Sequence, residues 1–455
     1  MNTMTASSPR REMNWANALV AFLVLGNLSM TRSFAHIGYA PVYVGEASLL
    51  ALLLSQRGAV VWSWFNATFR PNLLSGVAWC LFISAGYGLM ESIRGIAYGY
   101  GCTAVLQNVV LHVYPLFFFV GVGVGVRNAE FLPRLIRALA WWHGIYGVMY
   151  IFVLGQYETP DDIMLNTVAW FGQPHGAGVC LIALVALKED LRRVWLPVLL
   201  NVVVLLGMQM RAAWLSLIVA MLMWGYLTGR LRQLLRLGAV VVAVFAVAAV
   251  TDLHYSAPAC RGGDISARHI LGRAVAAVDE RAAELLTGSV DDAKTYHGNV
   301  NWRTAWWWAI YKKVHHTPLQ AAFGLGYGYP IWGLHPLDDL VTPVRTPHNS
   351  YMYALGYTGW VGLTIFCALQ LALARLLWLV YQRTGQTFGL CLWGMAAVWA
   401  CFDGFFETPF SAIALYLLLG LAAAPALRST PCANPDTGQF SALSVTMLGE
   451  PGSDE

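Results

Sequence analysis

Long apolar runs separated by short polar breaks dominate this chain from residue 14 to residue 427. A helix needs about 20 apolar residues to cross ~30 Å of hydrocarbon. Windows of that kind fall at roughly 14–31, 40–56, 73–90, 104–126, 133–154, 168–187, 193–210, 212–229, 233–251, 351–380, 387–404 and 409–427. The seventh and eighth form one run broken only at Arg211. Unbroken, that run is far too long for one crossing at 1.5 Å per residue. A guanidinium at mid-bilayer also costs at least ~2.5 kcal/mol, so a tight hairpin with Arg211 near its turn is expected. The pattern predicts an all-α polytopic membrane protein with about 12 transmembrane helices. It divides into an N-terminus (1–13), helices 1–9 (14–251), a long loop (252–350), helices 10–12 (351–427) and a tail without periodicity (428–455).

Within the long loop, helices are predicted near 266–286 and over 301–314. The second reads Trp302-Arg303-Thr-Ala-Trp306-Trp307-Trp308. Tryptophan favours the headgroup region, so this helix is expected along the membrane surface. Gly324-Leu-Gly326-Tyr-Gly328 marks a turn beyond it.

Composition agrees with a membrane protein: 58% of residues are hydrophobic and 11% charged, with mean hydropathy +0.55, against about 25% charged in soluble domains. The placement of charge matters more than the net +4. Short loops on the side of the termini carry Arg10, Arg11, Arg57, Arg70, Arg127, Arg134, Arg137, Lys188 and further arginines. The opposite short loops carry Arg32, Arg94 and Arg211. By the positive-inside rule the termini are cytoplasmic and the long loop faces away from the cytoplasm. No basic stripe marks a nucleic-acid surface. The eight cysteines show no CxxC pairing and read as small buried hydrophobes, not as a metal site or disulfide frame.

Chemistry concentrates where the long loop returns to the bilayer, in Arg345-Thr-Pro-His348-Asn349-Ser-Tyr351. An imidazole, with an ordinary pKa near 6.5, can accept a hydroxyl proton at neutral pH. The alternative is a histidine that caps the tenth helix, with Asn349 and Tyr351 as interface anchors. Arg211, Arg303 and Arg345 all fall on the non-cytoplasmic side, and the guanidinium fork suits phosphate oxygens. Otherwise each snorkels or pairs with a nearby acid such as Glu46 or Glu91. Arg211 has no Asp or Glu within twenty residues. Among the acids, Glu46, Asp403 and Glu407 are candidates either for orienting an arginine or for catalysis. His175 reads as structural, and His335 with Asp338 and Asp339 is a weak metal pattern. There is no G-x-S-x-G elbow, H-E-x-x-H or Walker A loop.

The pattern His348-Asn349, nine residues, Gly359-Trp-Val-Gly362 resembles that of the bacterial O-antigen ligase family. Met210-Arg211-Ala-Ala-Trp-Leu resembles the arginine-started helix of the same superfamily, although Ser-Arg-Gly is common there. Arg303 with its tryptophans, Pro318 and Gly324-Leu-Gly326 resemble the segment before the histidine, and Pro41-Val-Tyr-Val-Gly45-Glu46 resembles the second helix. The resemblance implies a metal-independent, cofactor-free glycosyltransferase of GT-C type in the bacterial inner membrane, with its site facing the periplasm. It implies a donor glycan on undecaprenyl pyrophosphate and transfer to a sugar hydroxyl of lipid A–core. Polymerases of the superfamily, which extend another lipid-linked unit, carry similar patterns. On this resemblance His348 is the general base, Arg211, Arg303 and Arg345 bind the pyrophosphate, Asn349 orients the histidine, and Tyr351 and Glu46 support the site. A lipid-linked oligosaccharide flippase is a third reading, but it needs a charged path through helices whose middles are nearly uncharged.

Overall fold

The computed structural model describes residues 15–55, 67, 72–157, 175–251, 254–255, 265–276, 278–335 and 346–428. Arg345, Asp338, Asp339, the start of the sixth window and the tail beyond Arg428 lie outside the described residues. The helices are α1 (Trp15–Ser29), α2 (Val44–Ser55), α3 (Ser75–Ala97), α4 (Cys102–Val113), α5 (Phe117–Arg127), α6 (Phe131–Phe152), α7 (His175–Ala186), α8 (Leu191–Gly207), α9 (Arg211–Leu227) and α10 (Leu231–Val250). Next come α11 (Ala267–Val275), α12 (Glu280–Thr287), α13 (Val290–Val314) and α14 (Pro318–Phe323). The chain then forms α15 (Ser350–Thr384), α16 (Phe388–Trp399) and α17 (Pro409–Ala423). Strand structure among the described residues is confined to two antiparallel two-residue pairs, 38–39 with 42–43 and 254–255 with 265–266.

This is an all-α membrane protein. A helix falls within each apolar window, but twelve crossings do not follow from their lengths. Among the described residues, five helical stretches are long and apolar enough to span a bilayer: Ser75–Ala97, Cys102–Arg127, Leu231–Val250, Ser350–Thr384 and Pro409–Arg428. Shorter apolar helices, including Arg211–Leu227 and Phe388–Trp399, accompany them. The run through Arg211 breaks at 208–210, where Gln209 has a positive φ of 49°, and Arg211 is the first residue of α9.

The core centres on α17, which starts with Pro409 in its first turn, where a missing N–H costs nothing. Small residues let it lie directly on α5. A Cβ on Gly121 would meet the Leu417 carbonyl oxygen at 2.2 Å, and one on Gly420 would meet that of Phe118 at 2.1 Å. In the segment before α15, the helix expected near 266–286 is two. The Asp279 side chain accepts from Arg281 N and Ala282 N, capping a new start. The aromatic helix begins at Val290, well before 301.

α15 is broken. Its apolar sequence predicts a continuous span, yet Gly359 sits at φ 63°, ψ −166° inside it. The turn after α14 fills the break: Leu325 N donates to Gly356 O at 2.9 Å and Gly326 N to Tyr357 O at 3.0 Å. Arg94, ion-paired with Glu91 at 2.5 Å, donates to Phe323 O and reaches Gly324 O and Tyr357 O. The carbonyls freed by the kink are thereby satisfied. The short half-helix ahead of Gly359 is set at its own angle, with His348 and Asn349 at its head.

Candidate active site

His348 precedes α15 with φ 49°, a left-handed conformation rare for a residue with a side chain and a mark of local constraint. The constraint comes from both sides. Asn349 caps α15, accepting at Oδ1 from Tyr351 N and Met352 N at 2.9 Å each, and its Nδ2 donates to Cys401 O at 3.0 Å. Trp307 Nε1 donates to Pro347 O at 2.6 Å, and the Trp302 ring stands edge-on to the imidazole at 5.7 Å.

The imidazole Nδ1 lies 2.9 Å from Asp403 Oδ1, and its side chain keeps 22% exposure. A carboxylate at Nδ1 fixes the proton there and leaves Nε2 as the acceptor. Asp403 is itself held by its own Gly404 N–H at 2.9 Å. The 400–408 turn that carries it is bolted to α15 through Ser350. Ser350 N donates to Ala400 O at 2.9 Å, and its hydroxyl accepts from Phe405 N and Phe406 N and donates to Glu407 Oε2 at 2.5 Å. Burial, with the nearby Asp403 charge adding to it, pushes the Glu407 carboxyl up to about 8. Glu407 is therefore a neutral brace at pH 7.

Arginines gather beside this pair. Arg303, one turn into the aromatic half of α13, donates from Nη1 to Phe402 O at 3.0 Å and packs its guanidinium over Trp302 at 5.3 Å. Its Nε is buried with no hydrogen-bond partner among the described residues. Burial lowers its pKa and the Asp403 charge opposes that shift, so Arg303 and Asp403 feel one another. Arg211, at the head of α9, donates from Nη1 to Arg273 O at 3.3 Å and is within electrostatic reach of both Arg303 and Arg273. Like charges held together repel, and a bound polyanion would relieve that repulsion.

The structure thus brings together His348, Arg211 and Arg303. Arg345 is outside the described residues. Asn349 holds the helix and the turn; no hydrogen bond from it to the His348 ring occurs among the described contacts. Tyr351 donates from its hydroxyl to Ala397 O at 3.2 Å. Glu46 sits apart, accepting from Tyr114 Oη at 2.6 Å and from Tyr43 N at 3.0 Å, so its recorded partners are a phenol and a backbone amide, not an arginine. His175 is buried against Trp399, Phe405 and Phe410. The His335 ring packs on Trp302 and Trp306.

Sequence reasoning missed one pairing and one residue. Asp403 stood out as an acid in an apolar turn, but its pairing with a residue 55 positions away had no sequence signal. Arg273 on α11 looked like any other arginine of the long loop. Three residues earlier on the same helix, Ile270 lines an apolar cleft of about 270 Å³, walled also by Phe152, Leu206, Ala248, Tyr255 and Ile265. Arg273 therefore shares a helix with one wall of an apolar recess.

His348 paired with a carboxylate, and guanidinium groups that meet a helix walling an apolar cleft, make up the candidate site of this helical membrane protein. Residues 176–367 match the family model described as O-Antigen ligase, and that match supports the chain as a member of the O-antigen ligase family. The matched stretch takes in Arg211, Arg273, Arg303 and His348 but not Asp403. No curated protein matches the chain.

Proposed function

We propose that this protein is an O-antigen ligase, moving a glycan from undecaprenyl pyrophosphate to a sugar hydroxyl of lipid A–core at the periplasmic face of the inner membrane. The observation that carries the reading is the meeting of the His348–Asp403 pair with Arg211 and Arg303, with Arg211 hydrogen-bonded to the helix that also walls an apolar cleft. In this reading the acceptor hydroxyl gives its proton to His348 Nε2 as its oxygen attacks the anomeric carbon. The bond from that carbon to the pyrophosphate breaks, and the electron pair leaves on a phosphate oxygen. Arg211, Arg303 and Arg273 stabilise that charge, which is greatest in the transition state. Attack opposite the leaving group inverts the anomeric centre. Arg345 is proposed as a further pyrophosphate-binding cation. The head of the polyprenyl chain occupies the cleft, and the rest lies in lipid.

The test is transfer by the purified protein from a lipid-linked glycan, with lipid A–core or without a second acceptor. Transfer to core is the expected result. Laddered growth without core identifies a polymerase of the same superfamily, and no new glycosidic bond identifies a transporter. His348→Ala is expected to abolish transfer while leaving insertion intact; full activity in that variant removes the base assignment.

A further inference from the structure

α13 has two working faces. Trp302, Arg303, Trp306 and Trp307 point its first face at the His348 loop and the core. Trp308, Tyr311, Lys312 and His315, spaced i, i+3, i+4, i+7, share the other face. That face is pre-arranged. Trp308 stacks on Tyr311 at 5.4 Å with 6° between planes, and Lys312 Nζ lies 5.3 Å over Trp308. Tyr311 packs on His315 at 3.9 Å, and Trp360 Nε1 donates to His315 Nε2 at 2.9 Å. Trp360 follows the Gly359 kink in the spanning stretch Ser350–Thr384, so the cluster joins α13 to a membrane helix. Both end tryptophans stay open, Trp308 at 56% and Trp360 at 47% exposure.

We propose that this face is a docking surface for the anionic phosphate headgroup of a membrane lipid. Lys312 contacts the phosphate, and Trp308 and Trp360 hold the glycerol or sugar end and the first acyl carbons. Charge complementarity supports that occupant: from 293 to 337 the sequence has no Asp or Glu, while Lys312, Lys313, His315 and His316 stand together. Favourable interaction with the helix dipole accounts for lysines in the last turn. It does not account for an aromatic stack fused by a hydrogen bond to a second, membrane-spanning helix. Aromatic side chains with basic neighbours beside a membrane helix suit a lipid with a charged head and an apolar body. The inference rests on the membrane reading of α15 and not on the catalytic assignment.

The experiment is native mass spectrometry of the full-length protein released from nanodiscs holding equal phosphatidic acid and phosphatidylcholine. Wild type is expected to retain phosphatidic acid in clear excess, and saturating inorganic phosphate is expected to leave that lipid in place. Lys312→Gln is expected to lose roughly fivefold of the preference, taking ~1 kcal/mol for one basic group. Lys312→Arg keeps it. His348→Ala, inactive on the proposed function, keeps it too, which separates failure of this site from failure of that one. Absence of enrichment in wild type, displacement by inorganic phosphate, or an unchanged preference in Lys312→Gln each overturns the proposal. The first two need no variant to fold.

Discussion

At the scale of single residues, the proposed mechanism turns on which nitrogen of His348 is left to accept a proton. Asp403 Oδ1 at 2.9 Å from Nδ1 stabilises the tautomer with Nδ1–H and also the imidazolium that forms when Nε2 takes up a proton. An amide in its place keeps the shape but can present its N–H to Nδ1, reversing the tautomer. Asp403→Asn is therefore expected to lower kcat by about a hundredfold or more, the range for general base catalysis, with the donor KM little changed. Equal losses in kcat and donor affinity would instead place Asp403 among the groups that hold the arginines. Arg211→Lys tests the other half. An ammonium keeps the charge but loses the paired donors, so donor KM should rise and turnover fall; near-normal kinetics would take Arg211 out of pyrophosphate binding. His348 was legible because it is a lone titratable ring where polar sequence turns apolar. Its carboxylate was not, because only the packing of α15 against the 400–408 turn brings residue 403 to it.

Among elements, the glycine motif gains a physical meaning. Gly359 adopts φ 63°, and a Cβ there would meet the Ala322 carbonyl oxygen at 2.4 Å, a backbone atom that cannot swing away. Gly359→Ala is expected to cost about 1–3 kcal/mol from the conformation alone, with the clash added. It should also release the half-helix that aims His348. A lower Tm together with lost transfer is the expected outcome; a variant with unchanged Tm would mean that the kink is not a constraint. No period in the apolar run from Met352 to Val380 betrays this break, because a kinked span and a straight one have the same hydrophobic pattern. The 400–408 turn offers a second test. Folded Glu407 titrates near 8 against an ordinary 4.5, mainly from burial. A carboxyl raised on folding contributes stability that is full below the lower value and is lost as pH rises through the higher one. Between pH 5 and 8.5 the Tm of wild type should therefore fall more steeply than that of Glu407→Gln, which cannot ionise. Parallel curves would show that Glu407 is not a neutral brace.

For the whole molecule, apolar windows foretell where helices form but not how many of them cross. Phe388–Trp399 ends several residues before its window does, and tertiary packing sets that end. The same limit hid the cleft, since its walls come from α6, α8, α10, α11 and the short strands near 255 and 265. Ile270 and Arg273 lie one helical turn apart on α11, so a single element ties the apolar wall to the arginine group. If the cleft takes the head of a polyprenyl chain, filling it should discriminate among donors by tail, not by glycan. Ile270→Trp adds bulk at the wall and leaves every arginine in place. Transfer from a long polyprenyl donor should then show a raised KM, while a donor with a very short prenyl tail, which gains little from the cleft, should be affected far less. Competition by free inorganic pyrophosphate should be unaltered, because the guanidinium groups remain. Equal loss for both donors would mean that the substitution disturbs α11 and Arg273 instead of a lipid path, and no loss for either would send the tail elsewhere in the membrane.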